Sequence, residues 1–172
     1  MSGRWFAPIR FLAPGLAVAV AGAAAAQAPP DVAVKATDLY KFAAFVDWPA
    51  VAPGQVCVAG DDPFGAALDQ AIRGQTINGK PASVVRLDRV DKDAPCAVLF
   101  VAPSKRQSVG EALERVRGAP VLTVTDGSPE GQRGMIDFVL KDNRIRFRID
   151  ADAAERSGLT VSSKLLSLAV KP

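Results

Sequence analysis

The stretch CAVLFVA at residues 96–102 decides the fold of this chain. Seven consecutive apolar residues, without the alternation of a strand that faces water on one side, are typical of a strand covered on both faces. Two further apolar stretches, QVCVAG at residues 55–60 and PVLTV at residues 120–124, also have the length and composition of strands. We therefore expect three strands in this part of the chain.

Helical patterns separate these strands. Asp62 follows the first strand as an expected helix N-cap, with Pro63 at the first helical position. Ser104 and Gln107 follow the second strand as an expected capping box. Strands that alternate with helices predict a largely parallel sheet with right-handed crossovers.

Two turn signals complete the predicted fold. Residues 78–79 (Asn-Gly) precede one more strand, and residues 141–143 (Lys-Asp-Asn) join two predicted strands, Met135–Leu140 and Arg144–Ile149, into a hairpin. The chain is therefore predicted to be an α/β protein. We expect a single three-layer Rossmann-like sandwich, a mostly parallel sheet with an antiparallel edge hairpin and helices on both faces.

The first 26 residues have the pattern of a secretory signal peptide. Arg4 and Arg10 form a short positive region, and the apolar run over residues 11–26 follows. The run ends in Ala24-Ala25-Ala26, the small residues that a signal peptidase needs, so we place the cleavage before Gln27. Export of the mature chain from the cytoplasm follows from this signal.

The alternative to cleavage is an N-terminal membrane anchor. Pro14 interrupts the apolar run, which is also shorter than the ~20 apolar residues that a spanning helix needs. We therefore expect a mature chain that does not span the membrane. Residues 27–31 are then a flexible leader and residues 32–172 one α/β domain.

The charge of the mature chain gives no argument for nucleic-acid binding. Cleavage removes two of the 21 basic residues and none of the 18 acidic ones, which takes the formal net charge from +3 to +1. Nucleic-acid binding normally needs a clustered basic face and a strongly basic domain. We therefore expect no nucleic-acid partner.

The two cysteines, Cys57 and Cys96, predict a disulfide bond, because the expected compartment is oxidising. Two free buried thiols are the alternative, since both residues lie in apolar stretches. The chain has no histidine, so two cysteines cannot complete a zinc site, and catalytic Ser-His-Asp and Cys-His arrangements are excluded. We predict no catalytic residue, no metal site and no cofactor.

The acidic residues do not form a recognisable catalytic pair. Asp62 is already a predicted cap, Asp126 follows a predicted strand, and Asp137 lies within a strand where it can be exposed. The spaced glycines of residues 127–134 follow a strand but do not precede a helix, so a phosphate-binding loop is not predicted. We expect a flexible loop there.

The first predicted helix, Asp31–Asp47, carries a cluster of aromatic residues and stops before Pro49. Tyr40, Phe42, Phe45 and Trp48 belong to this cluster, and the helix has more apolar surface than one sheet face can bury. The cluster is therefore either an anchor for a protein partner or a part of the core. A homodimer interface would use the same excess of apolar surface.

Arg144, Arg146 and Arg148 form a second recognition candidate, which we call the arginine row. Their alternate spacing places them on one face of a strand, with Ile145 and Phe147 on the other. The arginine row is either a solvated face or a docking surface for an acidic partner or an anionic ligand.

Four segments resemble one protein family in their order along the chain. They are Ala33–Pro49 (AVKATDLYKFAAFVDWP), Cys57–Gly65 (CVAGDDPFG), Gly134–Asp150 (GMIDFVLKDNRIRFRID) and Leu159–Ala169 (LTVSSKLLSLA). Together they resemble the YfiR-like periplasmic proteins, a family long carried as a domain of unknown function.

The resemblance implies a periplasmic repressor. The best-understood members bind the periplasmic sensor domain of an inner-membrane diguanylate cyclase and hold it inactive, and release raises cyclic di-GMP and favours biofilm. The family is broader than these members, so another membrane receptor is the alternative partner. Members are α/β proteins that can dimerise, and Cys57 and Cys96 match one family disulfide. The second disulfide of some members is missing here, so redox control of release does not follow from the resemblance.

Two functions from different classes therefore remain. The first is a regulator that binds a membrane signalling protein. The alternative is a periplasmic small-ligand-binding protein with a cleft at the strand ends.

Overall fold

A six-stranded sheet lies at the centre of the computed structural model, which describes residues 28–49 and 53–171 together with Met1 and Gly3. The strands are β1 (Val46–Asp47), β2 (Gln55–Ala59), β3 (Thr76–Ile77), β4 (Lys80–Pro81), β5 (Ser83–Leu87), β6 (Val98–Val101), β7 (Leu122–Asp126), β8 (Ile136–Lys141), β9 (Arg144–Ile149) and β10 (Thr160–Val161). The helices are α1 (Pro30–Ala43), α2 (Ala66–Ile72), α3 (Val109–Arg115), α4 (Ala151–Arg156) and α5 (Ser163–Leu168).

The main sheet has the strand order β5-β2-β6-β7-β8-β9. The strands from β5 to β8 run parallel, and β9 pairs antiparallel with β8 at the edge. The predicted mixed α/β fold and the mostly parallel sheet with an antiparallel edge hairpin are confirmed. The Rossmann-like three-layer arrangement stays a prediction.

Alternate residues of the same strands belong to two separate apolar clusters. Val56 and Val58 of β2 pack in a cluster with residues of α1 and α2, whereas Cys57 and Ala59 pack in a cluster with residues of α3. Successive side chains of a strand point to opposite sides of the sheet. We call the α1 and α2 side the first face and the α3 side the second face.

The first helix is shorter than the predicted Asp31–Asp47. It begins at Pro30, inside the predicted leader, and ends at Ala43. Val46 and Asp47 form β1 instead and pair antiparallel with β10. Tertiary pairing with a strand more than a hundred residues away overrides the local helical pattern here.

The predicted starts of α2 and α3 are also wrong by a few residues. Asp62 Oδ1 accepts a hydrogen bond from the backbone N–H of Phe64 at 2.7 Å, which closes a turn before α2, and Gly65 is the N-cap. The hydroxyl of Ser104 likewise caps a turn before α3. The capping box of α3 is formed four residues later, by Ser108 and the third helical residue. Each predicted cap therefore stabilises a turn that precedes the helix.

Both turn signals are confirmed as two-residue hairpin loops. Asn78 and Gly79 between β3 and β4 have φ values of 50° and 74°, and Asp142 and Asn143 between β8 and β9 have values of 51° and 54°. Positive φ at both loop positions is the geometry that matches the twist of the two strands.

The predicted signal peptide, residues 1–26, lies outside the described residues apart from Met1 and Gly3. Within the part of the chain that the structure describes, no helix has the length and apolarity needed to cross a bilayer.

Candidate functional site

Cys57 and Cys96 form a disulfide bond. Cys57 lies in β2, and Cys96 lies two residues before β6, the neighbouring strand. Their Cα atoms are 5.7 Å apart, and both residues are buried in the second-face cluster. The alternative of two free thiols is therefore not the arrangement in the structure. The bond ties β2 to the start of its neighbour β6 on the side covered by α3.

The aromatic cluster near the end of α1 lies against the first-face core. Phe42 is fully buried, with its ring centroid 5.6 Å from Phe138 and 5.0 Å from Phe147. Tyr40, Phe45 and Trp48 are half-buried and pack against the same core. This placement favours the core reading of the cluster.

Phe45 and Trp48 also have specific contacts within the chain. The indole N–H of Trp48 donates to the backbone carbonyl of Pro120 at 3.2 Å. The backbone carbonyl of Phe45 accepts from Ser162 N at 2.9 Å, and Lys164 Nζ lies 5.6 Å from the centroid of its ring. These contacts hold the segment after α1 to the start of β7 and to α5. A role of these aromatics in partner binding stays a prediction.

The arginine row lies on the second face of the edge strand β9. Arg144 and Arg146 are exposed, whereas Arg148 is half-buried with an Nε atom that has no hydrogen-bond partner. Lys141 is paired directly opposite Arg144 across the hairpin. Among the described residues, no carboxylate forms an ion pair with Lys141, Arg144 or Arg146. The edge of the sheet therefore carries three uncompensated positive charges.

Asp137, expected as a residue that can be exposed, is only 2% exposed. Its Oδ1 accepts hydrogen bonds from Thr125 Oγ1 at 2.7 Å and from Ser128 N at 3.2 Å. Its Oδ2 has no hydrogen-bond partner and lies 3.8 Å from Arg133 Nε. Arg148 is paired directly opposite across the hairpin. The hairpin register, which the turn at residues 142–143 implies, could have identified this cross-strand pair from the sequence.

Asp62 and Asp126, the other carboxylates considered from the sequence, are paired with cations. Asp62 Oδ2 accepts from Arg86 Nε at 2.7 Å, and Asp69 Oδ2 accepts from Arg86 Nη2 at 2.8 Å. The hydrogen bond from Arg86 holds the pKa of Asp69 below its ordinary value. Asp126 pairs with Lys35 of α1 at 2.6 Å. These ion pairs join the α2 region to β5 and join α1 to β7.

The carboxyl ends of β2 and β6, where α/β proteins commonly bind ligands, approach each other closely through their backbones. Asp61 N donates to the carbonyl of Pro103 at 3.3 Å. Gly60 has a φ of 90°, and a Cβ atom there would lie 2.2 Å from the carbonyl oxygen of Ala102. Only glycine permits this close approach of the two strand ends.

A cleft of about 350 Å³ lies between α3 and α4, near the amino ends of β7 and β8. We call it the arginine cleft, because Arg117, Arg133 and Arg156 line it from three different segments. Thr123 and Ser157 also line it. The sequence offers no signal for this cleft, because its arginines lie far apart along the chain.

A comparison with protein families decides the family of this chain. A family model described as YfiR/HmsC-like matches residues 32–170. The chain belongs to the YfiR/HmsC-like family. This match confirms the resemblance inferred from the four segments. A comparison with curated proteins finds no match.

The YfiR/HmsC-like match begins in the first turn of α1 and ends just beyond α5. It therefore includes the main sheet, the disulfide, the arginine row and the arginine cleft. YfiR/HmsC-like proteins are periplasmic regulators rather than a catalytic family. The disulfide fits this assignment, since disulfides persist in oxidising compartments.

Proposed function

We propose that this YfiR/HmsC-like protein represses an inner-membrane diguanylate cyclase by binding its periplasmic sensor domain. Family membership supports a periplasmic regulator, and the predicted signal peptide, cleaved before Gln27, accounts for export. The observation that carries the binding step is the set of exposed charges on β9 and its hairpin partner, Lys141, Arg144 and Arg146.

These charges favour an acidic partner surface. Lys141 and Arg144 are directly opposite each other, and like charges in this position destabilise a hairpin slightly. An acidic partner would relieve that repulsion. Complementary charges across an interface chiefly raise the association rate and set the orientation of the partners.

The half-buried aromatics Tyr40, Phe45 and Trp48 would then add apolar contact area at the other side of the molecule or in a homodimer. Sedimentation measurements of the mature chain test the homodimer directly. A monomer at all concentrations would remove that part of the proposal.

The experiment that tests repression measures cellular cyclic di-GMP in a deletion strain. We expect deletion to raise cyclic di-GMP, a secreted copy to restore the original level, and a copy without residues 1–26 to fail. An unchanged level after deletion, in cells that normally express the protein, would contradict repression of a cyclase.

A charge-reversal variant tests the surface. Arg144→Glu combined with Arg146→Glu should lose repression, because the two exposed cations would become anions facing an acidic partner. Arg73→Glu combined with Lys80→Glu is the matched control, since both residues are exposed and precede β5 at the opposite edge of the sheet. Equal repression by both double variants at equal protein levels would rule out the β9 surface.

A second candidate function is the binding of a small ligand in the periplasm, and the arginine cleft supports it. A thermal-shift screen of the mature chain against metabolites tests this candidate. Saturable stabilisation without a protein partner would favour it over repression by protein contact alone.

A further inference from the structure

The arginine cleft has the size and position of a small-molecule site. Its volume of about 350 Å³ lies within the range of ~300–1,000 Å³ that is common for ligand pockets. α3 forms one wall, α4 forms another, and the loop before β8 closes a third side. Thr123 of β7 lies on the second face of the sheet and forms part of the floor.

The charges that line the cleft are mostly positive. Glu114 is the acidic residue that lines the cleft, and it pairs with Arg117. Arg133 Nε donates to the carbonyl of Ser128 at 2.9 Å, and its Nη atoms have no acceptor among the described residues. Arg156 forms neither an ion pair nor a side-chain hydrogen bond with any of the described residues.

Two buried hydroxyl groups add donors to these guanidinium groups. Thr123 is 5% exposed and Ser157 is 7% exposed. Thr123 Oγ1 accepts from Met135 N at 3.0 Å, but neither hydroxyl donates to an acceptor within the described ranges. Both hydroxyl groups can therefore donate to a ligand in the cleft, because a serine or threonine hydroxyl is a donor as well as an acceptor.

The remaining lining is apolar. Leu113 and Val116 of the α3 segment, Met135 before β8 and Ala153 of α4 contribute it. A ligand that fills the cleft would therefore contact hydrogen-bond donors at one part of its surface and hydrocarbon at another.

We propose that the arginine cleft binds a small organic anion, a carboxylate or a phosphate monoester with a short apolar body. The guanidinium groups of Arg133 and Arg156 would bind the anionic group, with the hydroxyls of Thr123 and Ser157 as further donors. This inference rests on the second candidate function, small-ligand binding, and is independent of cyclase repression.

Titration calorimetry of the mature, disulfide-bonded protein tests the proposal with four probes. Benzoate and phenyl phosphate represent the two anionic groups, benzamide is the neutral counterpart, and inorganic phosphate lacks the apolar body. We expect at least one of the two organic anions to bind saturably. Benzamide and inorganic phosphate should bind at least ~10-fold more weakly, because each lacks one half of the complementarity.

Substitution of the exposed Arg156 by glutamine assigns the binding to the cleft without altering a contact that the fold uses. We expect Arg156→Gln to weaken binding of the organic anion by ~10-fold. Arg73→Gln combined with Lys80→Gln, at exposed positions before β5, should leave the affinity unchanged. Absence of saturable binding by both organic anions, or equal affinity in Arg156→Gln, would overturn the proposal.

The outcomes also distinguish failure of anion binding from failure of the two proposed functions, small-ligand binding and cyclase repression. Saturable binding of neutral metabolites without binding of either anion would preserve ligand binding as a function and reject the anion. If the deletion strain shows no change in cyclic di-GMP, repression of a cyclase is rejected. Anion binding by the purified protein is still decided by calorimetry alone.

Discussion

The two faces of the main sheet are formed by the same strands but differ in chemistry along β7, β8 and β9. On the first face these strands present Val124, Phe138 and Phe147 to the core under α1. On the second face the corresponding positions are Thr125, Asp137 and residues of the arginine row. The apolar cluster of the second face is formed by residues of α3 together with residues of β5, β2 and β6.

The difference in chemistry between the two faces follows from the type of connection between β7 and β8. A loop makes this connection, and its backbone N–H groups need acceptors because part of the loop is buried. Gly134 N donates to Thr125 Oγ1 at 3.1 Å, and Met135 N donates to Thr123 Oγ1 at 3.0 Å. A Cβ atom at Gly134 would lie 2.7 Å from the carbonyl oxygen of Thr123, so glycine lets the loop approach the strand. A sheet face covered by a loop needs polar side chains, whereas one covered by helices needs apolar ones.

The largest expected effect comes from the first face. Phe138→Ala should reduce the free energy of unfolding by ~3–5 kcal/mol, because it removes a fully buried ring that contacts Phe42. Urea unfolding of the mature chain measures the change. Leu140→Ala is the matched control on the same strand and face, since Leu140 is 70% exposed and should change the free energy by less than ~0.5 kcal/mol. Equal effects of the two changes would contradict the assigned faces.

The disulfide is expected to be the strongest stabilising feature of the second face. Cys57→Ala combined with Cys96→Ala should cost about 4 kcal/mol at most, because the bond closes a loop with a sequence separation of 39. Urea unfolding with and without a reductant provides the measurement. The wild-type protein should lose stability on reduction, and the double variant should be insensitive to the reductant. A wild-type protein that is equally stable in both conditions would argue against this role.

The polar part of the second face should contribute less to the free energy of unfolding than the disulfide does. Asp137→Ala removes the acceptor for Ser128 N and Thr125 Oγ1 and leaves the neighbouring Arg148 without its cross-strand carboxylate. We expect a loss of ~1–3 kcal/mol in the free energy of unfolding, the cost of unsatisfied buried polar groups. Asp93→Ala changes an exposed aspartate and serves as the control. An Asp137→Ala variant as stable as the control would mean that the loop does not need this acceptor.

The smallest effect concerns two aspartates on the helices of the first face. Burial raises the pKa of Asp38, with Lys41 opposing it, whereas the hydrogen bond from Arg86 lowers the pKa of Asp69. A lowered folded-state pKa contributes stability above the unfolded pKa of ~3.9, and that stability is lost as the pH falls through the folded pKa. A raised pKa has the opposite sign, because the ionised form is penalised at neutral pH.

Asp69→Asn should therefore be less stable than the wild type at pH 7 and equally stable at low pH. The difference should stay below about 1 kcal/mol, since the Asp69 side chain is 45% exposed and solvent screens its ion pair. Asp38→Asn should be slightly more stable at pH 7. Urea unfolding at both pH values measures the two differences, and the same sign for both variants would contradict the assigned causes.

Local patterns in the sequence predicted the strands and hairpins well and the helix boundaries less well. The apolar run at residues 96–102 is confirmed as a central buried strand, and the turn signals at residues 78–79 and 141–143 are confirmed as hairpin loops. The predicted end of the first helix and the caps at Asp62 and Ser104 were wrong by several residues. Asp62 and Ser104 cap turns, and such side chains hydrogen-bond to the backbone in turns as readily as at helix starts.

The candidate surfaces also differ in how far the sequence predicts them. The arginine row could be predicted, because alternate positions of a strand share a face whatever the rest of the fold does. The burial of Asp137 was not predicted, because it depends on a loop that folds back over the strand. The arginine cleft could not be predicted at all, since Arg117, Arg133 and Arg156 meet only after α3, α4 and the loop before β8 have packed.

The sequence by itself determined the mixed α/β class, the family and the alternation of the edge hairpin, because these depend on short-range periodicity and on motif order. The tertiary structure alone decided that Val46 and Asp47 form a strand, that the backbones at the carboxyl ends of β2 and β6 approach closely, and that a cleft lined by arginines opens near the amino ends of β7 and β8. The physical reason is the range of the interactions. Periodicity acts over a few residues, whereas strand pairing, loop cover and clefts depend on residues that are distant in the chain and become neighbours only in the folded protein.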